Sequence, residues 1–182
     1  KAGKRIANEI IDAYEEIREK QENPIFKHKA FVLELPLRRV TLQQVQEAKS
    51  VLDTFSNRKD RLTADESAAI HAYVGILERF EVQQKYNLSA VELHVFRIGD
   101  LGFATNPFEL FLDYGNRIRA RSLARQTFLI QLACGSEGYL PTEKAEEGGH
   151  YSAYVASGFT GHEGGNLLVR KTLDELNSLM RL

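Results

Sequence analysis

Two residues in this chain pair reactive oxygen chemistry with a confined backbone: Glu109, in Asn106-Pro107-Phe108-Glu109, and Tyr139, in Gly138-Tyr139-Leu140-Pro141-Thr142. A carboxylate can hold a cation or move a proton, and a phenol can donate to developing negative charge. Glu109 also has a complete structural explanation. Asparagine at an N-cap, proline at the first helical position and glutamate at the third form a helix-start signature, the glutamate reaching back to the Asn106 amide and complementing the helix dipole. For Tyr139 the competing reading is plain packing. His150, in Gly148-Gly149-His150-Tyr151, and His162, in Gly161-His162-Glu163, stand on predicted loops open to a ligand. Neither has the His-x-x-x-His spacing that sets two imidazoles on one helical face, and lone loop histidines are more often surface groups. His71 and His94 fall in a predicted helix and strand, and His28 in a charged loop, with no role assigned. Nucleophilic catalysis has little support, since there is no Gly-x-Ser-x-Gly elbow and Cys134-Gly135-Ser136 lacks a neighbouring base. Gly161 to Gly165 before a helix could cradle an anion, but without the Gly-Lys-Ser/Thr ending of a phosphate loop.

The elements that must position these residues follow from periodicity. Ile6, Ile10, Tyr14 and Ile17 predict an amphipathic helix from Ala2 to about Lys20, closed by Asn23-Pro24. Phe31, Leu33, Leu35 and Leu37 alternate with polar or solvent-facing positions as in a strand, and Pro36 places that strand at a sheet edge or a bulge. Thr41 with Gln44, and Thr63 with Glu66, have capping-box spacing before two apolar helical patterns. These predict an antiparallel helix pair joined by the turn Ser56 to Asp60. Around Gly99-Asp100 the pattern predicts a β-hairpin of about 90 to 98 with 101 to 105.

A helix from Pro107 to about Ser122 and a buried strand from Thr127 to Ala133 then complete a right-handed βαβ unit. Both strand exits, near Glu109 and Gly135, open on one sheet edge, where open α/β sheets place ligands. Gly135 to Gly165 is glycine-rich and too long for an ordinary connector, so it reads as functional. A last helix runs from about Gly165 to Met180. The fold class is α/β: a β-hairpin plus a βαβ unit in a mixed sheet flanked by helices, a fragment of a larger α/β domain.

Composition bounds the function. With 182 residues the chain suits one domain, 1–182, and its net charge of −1 argues against a nucleic-acid surface. No apolar run approaches the roughly 20 residues of a membrane span, so there is no transmembrane segment and the domain reads as soluble. The one cysteine excludes an internal disulfide, gives no support to a cysteine-built metal site and leaves the compartment open, secretion or the periplasm included. The chain opens at Lys1, without methionine, directly in a helix, so a leader or an upstream domain could precede it.

The order of four motifs is informative: Phe96-Arg97-Ile98-Gly99-Asp100-Leu101, Asn106-Pro107-Phe108-Glu109, Gly138-Tyr139-Leu140-Pro141-Thr142 and Gly148-Gly149-His150-Tyr151. At these spacings, across roughly residues 30 to 180, the chain resembles the later part of the neutral/alkaline non-lysosomal ceramidase catalytic domain and its bacterial relatives. The resemblance implies a zinc-dependent amidohydrolase that cleaves the N-acyl bond of a lipid such as ceramide with metal-activated water. It implies Glu109 and Tyr139 as metal ligands and Tyr151, twelve positions further on, as the catalytic oxyanion donor. Two histidine ligands would come from the N-terminal part of the same protein, so this chain alone is expected to be inactive. Phe108 replaces the family's glycine before the glutamate, and Tyr151-Ser152-Ala153 replaces its Tyr-Glu-Gly, departures that bear on the lipid substrate. Two other readings stay open: hydrolysis of another amide or ester at the same metal site, and a non-catalytic module that binds a glycan, lipid or protein through the glycine-rich loop.

Overall fold

The computed structural model describes residues 1–181 except 19, 57 and 59. In chain order the elements are α1 (Ala2–Glu15), β1 (Phe26–Pro36), α2 (Leu42–Ser56), α3 (Ala64–Lys85), β2 (Leu88–Ile98), β3 (Leu101–Thr105), β4 (Glu109–Leu110), α4 (Leu112–Arg121), β5 (Gln126–Ile130), β6 (Tyr139–Leu140), α5 (Glu143–Gly148), a 3-10 turn (Val155–Ser157) and α6 (His162–Met180). The fold is α/β. Its main sheet has the order β1-β2-β3-β5, antiparallel except for the parallel β3–β5 pair, and β4 pairs β6 separately.

The hairpin forms where the sequence places it. Gly99 takes φ 58° at the turn, and the ladder pairs Ile98 with Leu101 and Phe96 with Phe103. Strand β1 begins at Phe26, five residues before the alternating run, and lies at the sheet edge as Pro36 requires. Both capping boxes are made: Thr41 N–H donates to Gln44 Oε1 at 2.9 Å and Gln44 N–H to Thr41 Oγ1 at 3.2 Å, with Thr63 and Glu66 repeating the exchange at 2.8 and 3.2 Å. Val45, early in α2, packs with Ile76, Leu77 and Phe80, late in α3, so the pair is antiparallel. Asn57 and Lys59, within its expected turn, lie outside the described residues.

One sheet face carries the core. Leu33, Leu35, Val91 and Leu93 meet Leu168, Val169 and Leu173 of α6 and Ile118 of α4. Each such side chain contributes about 1.5–3 kcal/mol by leaving water. Tyr114 is fully buried among them and donates from its hydroxyl to the Pro141 carbonyl at 2.8 Å, tying α4 to the segment after β6. Burial pushes that phenol up from its ordinary value.

Four expectations need correction. α1 stops at Glu15, not near Lys20, because Glu15 and Glu16 put negative charge at its C-terminal end and none of its residues is buried to extend it. The helix predicted from Pro107 begins at Leu112. The strand predicted as buried is the opposite sheet edge and ends at Ile130, with Phe128 39% and Ile130 44% exposed. The glycine-rich segment is not one loop but holds β6, α5 and the 3-10 turn. Among the described residues no helix is long and apolar enough to cross a membrane.

Gly165 tests the packing of α6 on α4. A Cβ there would overlap the Tyr114 ring, whose hydroxyl is held by Pro141. Gly165→Ala is expected to lower stability in denaturant titration by about 1–3 kcal/mol through overpacking; an unchanged midpoint would show that this contact is loose.

Candidate functional site

The site begins with a local choice at Asn106. Its side-chain Oδ1 accepts from Phe108 N–H at 3.1 Å, its own N–H donates to Ile130 O at 2.9 Å, and its carbonyl accepts from Ala133 N–H at 3.0 Å. These bonds make a turn that ties β3 to β5 instead of starting a helix. Phe108 and Leu110 then alternate into the core, a period of two that only an extended chain satisfies. Glu109 N–H donates to Gly138 O at 2.9 Å, and Glu109 and Leu110 stand in register with Tyr139 and Leu140. Glu109 is therefore not a helix cap; burial of its two neighbours outweighs the capping signature.

Tyr139 is held from its other side by a close backbone approach. Gly138 has φ 72° and bridges Gly158; a Cβ on Gly138 would strike Ser157 O, and one on Gly158 would strike Tyr139 O. Only glycine at both positions lets the chain returning from the 3-10 turn lie against β6. The segment that leads into that turn carries Tyr151, whose ring meets Tyr139 edge-on with centroids 5.7 Å apart at 85°. Ser157 Oγ donates to the Tyr151 carbonyl and fixes the loop from behind.

Glu109, Tyr139 and Tyr151 thus converge. The Glu109 carboxylate beside the Tyr139 hydroxyl pushes that phenol up to about 12, with the Tyr151 hydroxyl as second cause. Tyr139 and Tyr151 open on a cavity of about 560 Å³ shared with Tyr154 and, from α3, with Asp65, His71, Ala68, Ala69 and Ala72. His71 and Asp65 were not legible as site residues. Their signal was an alanine-rich stretch of α3, which leaves open space beside the two polar groups. Among the described residues, no set of three His, Cys, Asp or Glu donors converges on Glu109.

The other candidates separate from this site. His162 Nδ1 lies 3.0 Å from Glu146 Oε2, and that carboxylate, hydrogen-bonded to the ring, raises its pKa. Glu146 Oε1 also accepts from His162 N–H at 2.7 Å, so the predicted anion cradle at the start of α6 is filled by the chain's own carboxylate. Arg38 Nε stands 3.4 Å from the same group and its Nη1 donates to Ala153 O at 2.6 Å. Buried Arg79 donates from Nη2 to the carbonyls of Arg38 and Phe159 at 3.0 and 2.9 Å, and desolvation, with the Arg38 charge adding to it, lowers its pKa to about 10. His150 has φ 90° and leans on the Tyr151 ring at 4.9 Å.

Compared with protein-family models, with curated proteins and with solved structures, the chain finds no match.

The carboxylate–phenol contact makes a titration prediction. The neighbouring carboxylate opposes ionisation of Tyr139, so Glu109→Gln should lower its pKa from about 12 toward the ordinary value. Tyrosine-labelled NMR across an alkaline titration reads this directly. A Tyr139 resonance that titrates identically in both proteins would separate the two side chains.

Proposed function

We propose that this chain is the later part of a ceramidase-like, metal-dependent amidohydrolase domain acting on an N-acyl amide. The observation that carries the reading is the convergence of Glu109, Tyr139 and Tyr151 through the β4–β6 pairing and the Gly138–Gly158 contact. These are the residues the resemblance assigns to metal binding and oxyanion stabilisation, and they are distant in sequence.

The donor set fits a zinc ion in part. A carboxylate and a phenol oxygen are neighbours; tetrahedral zinc takes four ligands, and the resemblance assigns the other two to histidines of an N-terminal part of the same protein. In that assembly Glu109 and Tyr139 would hold the ion, and a bound zinc supplies Lewis acidity and a water of lowered pKa. Tyr151 can donate its hydroxyl to the oxygen of a carbonyl under attack, where developing charge strengthens the bond. The alanines of α3 offer an apolar wall for an acyl chain, and Tyr154 an aromatic one.

A second reading has its own support. Tyr151 and Tyr154 are 59% and 48% exposed at the cavity mouth, a surface on which a glycan or lipid could stack without being cleaved.

The test is zinc content and N-acyl amide hydrolysis in a longer form of the protein that includes the preceding segment. Wild type should carry zinc that Tyr139→Phe and Glu109→Gln both diminish, with hydrolysis falling by at least tenfold in each. Zinc content and hydrolysis unchanged in both variants would remove the ligand assignment; ligand binding without zinc or hydrolysis would favour the binding module.

A further inference from the structure

The outer face of the sheet carries a second constellation, which shares no residue with Glu109, Tyr139 or Tyr151. Glu92 and His94 are two apart on β2 and so project to one side, opposite Val91, Leu93 and Val95, which are buried against the core. Cys134 arrives from the segment after β5, held near β3 by the bond from Ala133 N–H to Asn106 O at 3.0 Å. One donor atom from each of Glu92, His94 and Cys134 lies within 4.8 Å of the others. His94 uses both ring nitrogens: Nε2 is 2.8 Å from Glu92 Oε1 and Nδ1 is 2.9 Å from His28 Nε2. The two imidazoles lie nearly coplanar, at 10°, and the His28 ring stacks on Phe96 with centroids 4.5 Å apart.

A carboxylate–imidazole hydrogen bond alone accounts for Glu92 and His94. It does not account for the thiol beside them, nor for the second imidazole that orients the first. Thiolate, imidazole and carboxylate together are a donor set for a borderline divalent ion, and a ligating histidine ordinarily has its other nitrogen fixed by a partner. Bond lengths of about 2.0–2.3 Å require ligand atoms roughly 3.5 Å apart. The present separations come within that range after small rotations of the exposed Glu92 and Cys134 side chains.

We propose that Glu92, His94 and Cys134 bind one zinc-like divalent transition ion, with water in the fourth position and His28 as the positioning residue for His94. Protons balance simply. Without metal, and with both rings neutral, His28 Nε2–H donates to His94 Nδ1 while His94 Nε2–H donates to Glu92. On binding, each ring moves its proton from Nε2 to Nδ1, so that His94 Nδ1–H donates to His28 Nε2 and His94 Nε2 is free to ligate. Only the Cys134 thiol gives a proton to solvent, one per ion bound.

Cobalt(II) titration of this chain tests the site, since thiolate ligation produces a near-ultraviolet charge-transfer band. One equivalent should produce the band, and zinc should abolish it by displacement. Cys134→Ser and His94→Ala should each remove it, with circular dichroism confirming the fold. His28→Ala should keep the band while weakening affinity about 10–100-fold, the size typical of an outer-shell partner. Tyr139→Phe should leave this cobalt band unchanged, which separates the site from the proposed hydrolase centre. No band at excess cobalt(II), or a band that survives His94→Ala, would overturn the proposal.

Discussion

The candidate site depends on a two-residue piece of parallel sheet. Glu109 N–H donates to Gly138 O, Phe111 N–H reaches Leu140 O at 3.4 Å, and Leu110 N–H is taken by Gln131 Oε1 at 2.7 Å. So short a ladder is marginal by itself; its stability comes from what alternates with it. Phe108 and Leu140 are fully buried and Leu110 nearly so, which fixes Glu109 on the opposite side, facing Tyr139. Burial of the neighbours is thus the reason the candidate side chains meet.

Much of the surrounding structure braces this contact. Tyr114 anchors Pro141, two residues past Tyr139, to α4. Gly158 lies on Tyr139 because Arg79 holds the Phe159 carbonyl, its guanidinium stacking on the Phe159 ring at 4.3 Å, while Arg38 N–H donates to the same carbonyl at 2.9 Å. The polar group of Arg38, Arg79, Glu146 and His162 therefore works at the back of the site: it joins the end of β1, α3, α5 and the start of α6 to the returning loop. Arg38 and Arg79 donate to backbone carbonyls and Glu146 takes both His162 and Arg38, while Arg79 Nε and Nη1 are buried with no hydrogen-bond partner among the described residues.

The sequence was most legible where the signal was local. Gly99-Asp100 set the hairpin, two capping boxes set α2 and α3, and Pro36 kept β1 at an edge, each through bonds within a few residues. Asn106-Pro107-Phe108-Glu109 misled because an asparagine side chain that accepts from an amide two residues on uses the same residues as a helix cap. Residues distant in sequence, Leu140 among them, decide between them by burying Phe108 and Leu110 in an extended chain. The apolar run of β5 concealed in the same way that one of its faces is exposed. Glu109, Tyr139 and Tyr151 were legible as a set through the order of motifs, but their contact was not. His71 and Asp65 were absorbed by the periodicity of α3, and Glu92, His94 and Cys134 had no common signal, because strand register and a returning loop bring them together.

Amide hydrogen exchange at Glu109 tests the central claim most directly. In the paired structure its N–H is bonded to Gly138 O beside a buried ladder, so it should exchange slowly, with Phe111 also protected. In a helix beginning at Pro107 the same amide belongs to the first turn, where it has no backbone acceptor within the helix. Protection at Glu109 that is lost when Gly158→Val forces β6 from its place would establish the pairing as the support of the site. Free exchange at Glu109 in the unaltered chain, with protection starting a turn later, would contradict it and return the residue to a helix cap.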